Sequence, residues 1–126
     1  MVNLLVIGLG GFFGAIARYG LSAFVHRFMS TSFPYGTLAV NVAGCLALGG
    51  IMYFGEDKAF LSPAARAFFA MGLLGAFTTF STFGHETLEL VSSGRTLWAA
   101  ANVTANVTLG IGALFAARYF LKIVGA

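Results

Sequence analysis

Charge is what this sequence has least of. Lys, Arg, Asp and Glu make up 9% of its 126 residues, and the first acidic residue is Glu56. A soluble domain of this size carries about a quarter charged residues, because its surface must be solvated. With 59% hydrophobic residues and a mean hydropathy of +0.90, the outer surface of this chain must face lipid. The composition predicts an all-α integral membrane protein. Cysteine is nearly absent too: Cys45 alone, inside an apolar run, cannot form an intrachain disulfide. The two histidines, His26 and His85, lie far apart without ligand partners, which argues against a side-chain metal site. No paired acids, Ser-His-Asp set or thiol–His pair can be assembled inside a bilayer, so an enzyme is not expected. The N-terminus lacks the basic region and small-residue cleavage site of a signal peptide and is expected to be the first span.

What is present is four apolar blocks. They run over about 3–25, 36–54, 63–91 and 95–123, separated by His26-Arg27, by Pro34, by Gly55-Glu56-Asp57-Lys58 and by Ser92-Ser93-Gly94-Arg95. Each supplies the roughly 20 residues that a crossing needs. Ser62-Pro63 is a helix-start signal. The connections are short, so residues 1–126 read as a single four-helix transmembrane domain with antiparallel sequential neighbours. Orientation is weakly specified. One side carries Lys58, Arg66, Arg118 and Lys122, the other Arg27 and Arg95, with Arg18 within the first span. That near balance permits insertion both ways, and hence an antiparallel dimer of identical chains, although charge alone leaves the matter open. Gly10 and Gly14 form a GxxxG, and Ala39, Ala43 and Ala47 a small-residue ridge, as close helix contacts in lipid require.

Two apparent motifs carry no chemistry. The glycines of GLGGFFG, Gly8 to Gly14, imitate a dinucleotide loop without its preceding strand or its later acid. The sequons at Asn102 and Asn106 lie within a span, out of reach of a glycosylating enzyme.

The remaining signal is polar. Asn41 sits in the second span, and Asn102 and Asn106 share a face of the fourth. In the third span, GAFTTFSTFGHE interleaves Thr78, Thr79, Ser81 and Thr82 with Phe77, Phe80 and Phe83. Every one of the polar side chains donates hydrogen bonds while neutral, and no acid sits mid-span. A small, strongly hydrated anion needs donors to replace its water, and the positive edge of an aromatic ring can face it. A cation pathway would favour carboxylates or carbonyl rings. Other readings stay open on residues alone. The phenylalanines suit packing, the hydroxyls can bond their own backbone one turn back, and the asparagines can be interhelical glue. Arg18 either adds charge near a mouth or snorkels to the interface. Glu86 is expected to be interfacial and solvated. Gly75 and its β-branched followers weaken the helix, predicting a broken third helix whose freed carbonyls could bind a cation.

Gly14-Ala-Ile-Ala-Arg18-Tyr19, Gly36-Thr-Leu-Ala-Val-Asn41-Val-Ala-Gly44 and Gly72-Leu-Leu-Gly75-Ala-Phe-Thr78-Thr79-Phe80-Ser81-Thr82-Phe83 resemble the Fluc (CrcB) family of fluoride ion channels. The likeness covers nearly the whole chain, and the last stretch is the specific one. It implies an antiparallel dual-topology homodimer with two fluoride pathways at the interface, in a bacterial inner membrane. By that resemblance Phe80, Phe83, Asn41, Ser81 and Thr82 line the pathway; Thr79, Asn102 and Asn106 are expected along it too, with Arg18 as a charge at its mouth. A central structural sodium ion (Na+) maps onto the carbonyls of Gly75 and Thr78. The implied partners are fluoride, a second subunit and the bilayer, with no nucleic acid. The fourth span departs from the pattern, placing Asn102 and Asn106 where an aromatic and a serine are expected, which makes the polar track wetter. A small multidrug exporter would want a carboxylate in the first span, and there is none; a non-transporting scaffold subunit would show no ion flux.

Overall fold

The computed structural model describes residues 2–125, and among them it is helical with no strand. Helix α1 covers Val2–His26 and α2 covers Tyr35–Met52, running on through a wider π-helical turn at Tyr53–Asp57. The third segment starts with α3 (Pro63–Arg66), continues as a π-helical stretch over Ala67–Leu74 and closes with the short α4 (Gly75–Phe77). Thr78 and Thr79 are extended, after which α5 covers Phe80–Ser92 and α6 covers Thr96–Val124. Among the described residues four segments are long and apolar enough to cross a membrane: Leu4–His26, Tyr35–Asp57, Pro63–Ser92 and Thr96–Val124. The chain is a multi-pass membrane protein.

Local chemistry sets the boundaries. Ser62 caps α3, its hydroxyl accepting from the Ala65 N–H at 3.2 Å, with Pro63 in the first helical position where it loses no bond. Gly94 turns the chain between α5 and α6 at φ +75, a conformation that favours glycine. Beside it the Arg95 guanidinium donates to the Ser32 carbonyl and so ties this turn to the α1–α2 connection.

Lipid offers no hydrophobic drive between helices, so close approach of backbones does the packing. Gly10 and Gly14 of α1 lie against the π-helical stretch, where a methyl group would run into the carbonyls of Phe68 and Leu73. Gly72 answers from the other side, against the Ile7 carbonyl. On α2 glycines make close contacts. Gly49 meets the Leu114 carbonyl of α6 and Gly44 meets the Thr78 side chain, whereas Ala47 is exposed. Asn41, Cys45 and Gly49 of α2 face Asn106, Gly110 and Leu114 of α6 in turn, so these two helices run parallel. Little is fully buried beyond Val40 and Asn102. Leu9, Phe12, Ile16, Phe115 and Phe120 point outward, as lipid requires.

Where α2 and α6 end together, Arg118 grips Asp57 through two bonds of 2.9 and 3.1 Å. Lys122 reaches the same carboxylate at 3.3 Å, and Glu56 stands 3.5 Å from Arg118.

Candidate functional site

The site forms where α4 stops. Thr78 (φ −77, ψ 159) and Thr79 (φ −148, ψ 115) leave the helix, so carbonyls of the preceding turn lose the N–H donors that would have bonded them. Among the described residues no donor reaches the carbonyl oxygens of Gly75 or Thr78. The amide that would have closed on Gly75, that of Thr79, is turned to Asn41 Oδ1 at 2.9 Å instead. Two bare carbonyls at the negative end of a helical segment are a donor set that suits a cation.

Asn41 replaces the missing helical bonds at the interruption. Besides accepting from the Thr79 N–H, its amide donates to the Thr79 carbonyl at 3.2 Å and to Asn106 Oδ1 at 2.9 Å. Asn106 donates both to the Asn102 carbonyl and to Asn102 Oδ1, each at 3.0 Å. Asn102 is fully buried and donates to the Thr87 hydroxyl at 3.0 Å; Thr87 in turn donates to the Phe83 carbonyl at 2.7 Å. The Thr79 side chain starts α5, accepting from the Thr82 N–H at 3.1 Å and donating to the Thr82 hydroxyl at 2.9 Å. Ser81 Oγ lies 3.5 Å from it.

Two cavities flank Thr79, which is buried and walls both. The larger, about 440 Å³, brings together Asn41, Gly75, Thr78, Phe80, Phe83 and Asn106. It has no acidic or basic lining residue, and Cys45 is its only thiol. The rings of Phe80 and Phe83 stand 5.5 Å apart, tilted by 53°, and Phe80 is 84% exposed on the open side. The smaller, about 280 Å³, is lined by Arg18, Tyr19, Ser22, Thr37, Thr79 and Thr82, with Arg18 its only charged group. Ser81 and Asn102 line neither cavity.

Glu86 corrects an expectation. It is turned inward, not solvated: the Thr37 hydroxyl donates to Oε1 at 2.7 Å, and Oε2 is buried without a partner. Thr37 is 5% exposed, and a short donor one helix away holds the carboxylate in. The hydroxyls divide as well. Thr78, Thr87 and Thr108 bond the carbonyl four residues back, whereas Thr79 and Thr82 bond each other. Thr37 and Thr87 were missed by reading sequence. Thr87 had a signal, since it and Asn102 are equally distant from the turn between Gly94 and Arg95 and so meet across the α5–α6 hairpin.

A family model described as CrcB-like protein, Camphor Resistance (CrcB), matches residues 5–118. A protein named fluoride-specific ion channel FluC from Shewanella sp. (strain ANA-3) is 48% identical over 109 residues, covering 86% of this chain and 87% of that protein. Fluoride-specific ion channel FluC 1 of Methanosarcina acetivorans is 42% identical over 91% of this chain and 87% of its own. The FluC protein of Dehalococcoides mccartyi (strain CBDB1) is 40% identical over 94% of this chain and 92% of its own.

Proposed function

This chain belongs to the CrcB-like family, and from that premise we propose that it is a passive, fluoride-selective ion channel that lets fluoride out of the cell. The observation that carries the proposal is the uncharged cavity beside Phe80 and Phe83, where Asn41, Thr78, Thr79 and Asn106 stand in an otherwise apolar wall, in a chain 40–48% identical to proteins named fluoride-specific channels. Fluoride gives up water only to donors that replace it. The ring edges of Phe80 and Phe83 in the larger cavity, the Thr82 hydroxyl in the smaller and the exposed Ser81 hydroxyl beside Thr79 supply them. Asn41, Thr79 and Asn106 form the inner wall, with Asn102 behind them, and Arg18 draws anions into the smaller cavity at the mouth.

One chain leaves this pathway open on one side, where Phe80 is bare. A second copy closes it, and the near-balanced basic residues suit an antiparallel, dual-topology homodimer with two interfacial pathways. The carbonyls of Gly75 and Thr78, with those of the second copy, would hold a central sodium ion. That ion would neutralise two helix ends at membrane depth; it takes no part in moving fluoride. In a bacterium the protein sits in the inner membrane.

The test is efflux from liposomes that contain only this purified protein, with fluoride and chloride compared under the same gradient. Fast fluoride release with little chloride release is expected. Equal release of both ions would mean a nonspecific pore, and release of neither from folded protein would mean that the chain does not conduct.

A further inference from the structure

The asparagines of α6 lie beside the proposed pathway, and their hydrogen bonds say what they do there. Main-chain groups fix the direction of every bond. The Thr79 N–H can only donate, so the Asn41 atom facing it at 2.9 Å is Oδ1. Its amide nitrogen must then face the Thr79 carbonyl, which can only accept, and Asn106 Oδ1. That turns the Asn106 amide toward Asn102, where the main-chain carbonyl again can only accept, together with Oδ1. The Asn102 amide is left to donate to Thr87, whose proton goes to the Phe83 carbonyl. Flipping any one carboxamide would set donor against donor or acceptor against acceptor.

The consequence concerns protons. Asn41 and Asn106 each have two amide protons, and both are used inside the chain of bonds. Asn102 is fully buried and lines neither cavity. None of the three is free to solvate an anion. We infer that Thr87, Asn102 and Asn106 are positioning residues for the fluoride pathway. They form a relay across α5, α6 and α2 that locks the Asn41 carboxamide in the orientation holding Thr79 extended, and they donate nothing to the ion. The relay also joins both ends of the Phe80–Phe83 turn, through Thr79 at one end and the Phe83 carbonyl at the other. This inference rests on the channel reading for its function but not for its geometry.

The experiment is a double-mutant cycle on fluoride efflux from proteoliposomes, using Asn41→Ala, Asn106→Ala and the pair, with folding checked by size exclusion. Asn106→Ala alone should slow efflux about tenfold, the worth of one buried hydrogen bond felt in the barrier. In the Asn41→Ala background it should change efflux less than twofold, because its action runs through Asn41. Effects that multiply would mean direct contact with the ion and would overturn the relay.

A second readout does not use flux. In the full chain with 15N-labelled asparagine in detergent micelles, Thr87→Val should shift the side-chain amide resonances of Asn106 and Asn41. Thr108→Val, at an exposed hydroxyl bonded only to the Thr104 carbonyl, should leave them in place. Fluoride added to the wild type should leave the Asn102 and Asn106 amides unshifted. An Asn41 resonance indifferent to Thr87→Val, or Asn106 amides that move with fluoride as the ring resonances do, would sink the inference. If the wild type passes no fluoride, that failure belongs to the channel reading, and the amide resonances alone decide the relay. They decide it equally if Asn106→Ala does not fold.

Discussion

Asn41→Asp is the substitution whose outcome the structure specifies most closely. An aspartate has the same shape and keeps an acceptor for the Thr79 N–H at 2.9 Å. Its second oxygen, however, faces the Thr79 carbonyl at 3.2 Å, which can only accept, and Asn106 Oδ1 at 2.9 Å, which could be exchanged for a donor only by flipping Asn106 away from its bonds to Asn102. Two hydrogen bonds are lost, each worth about 1 kcal/mol net, and acceptor faces acceptor in their place. A unit negative charge also enters the cavity wall. For an anion about 5 Å away in a medium of effective dielectric about 20, the repulsion is about 3 kcal/mol, or roughly a hundredfold in rate. Fluoride efflux at neutral pH, read by a fluoride electrode per mass of folded protein, should fall at least that far. Asn41→Ala removes the bonds without adding charge and should lose only about tenfold. An Asn41→Asp protein that releases fluoride within threefold of the wild type would refute the placing of Asn41 on the pathway wall.

Further outcomes follow from the same geometry. Phe80→Ile and Phe83→Ile remove ring edges while keeping apolar bulk, and each should slow fluoride efflux at least tenfold with little change in thermal stability; unchanged efflux would return both residues to a packing role. Gly14→Val should destabilise the fold by about 1–3 kcal/mol, since any side chain there meets the Leu73 carbonyl, while Gly20→Ala, with nothing within 4 Å, should be neutral or stabilising. Thermal unfolding in detergent compares the two, and equal melting would contradict the α1 packing. Replacing sodium by a large organic cation should lower the melting temperature and stop efflux if the bare carbonyls of Gly75 and Thr78 hold a cation; indifference would remove sodium from the proposal. Ser30→Lys with Ser32→Lys should force one orientation and cut efflux more than tenfold, with recovery on co-expression of a chain carrying Phe60→Lys and Ala64→Lys. Full activity of a singly oriented chain would exclude the antiparallel dimer.

Much of the fold was legible because lipid makes few demands. Four crossings appear as apolar runs, and their ends appear as Pro34, Ser62-Pro63, Gly94 and the charges beside them. Gly10 and Gly14 read correctly as a contact surface, because only small residues let backbones meet where no water is expelled. On α2 the same rule allows any small residue; Gly44 and Gly49 make close contacts there, and Ala47 of the alanine ridge is exposed. The π-helical winding of Ala67–Leu74 was not legible in the residues.

At the site, the residue types were readable but their assignments were not. That a hydroxyl-rich and aromatic stretch sits mid-membrane without an acid is a property of the chain itself, and so is its family, carried by Gly75 to Phe83. Which hydroxyls bond their own helix, that Glu86 turns inward, and that Asn41, Asn102 and Asn106 spend protons on one another, on Thr79 and on Thr87 were decided only in three dimensions. A hydrogen bond depends on distance and direction across helices, and neither is a property of a residue type. The sequence determined which solvent each segment tolerates; the tertiary structure decided which donors remained for an ion.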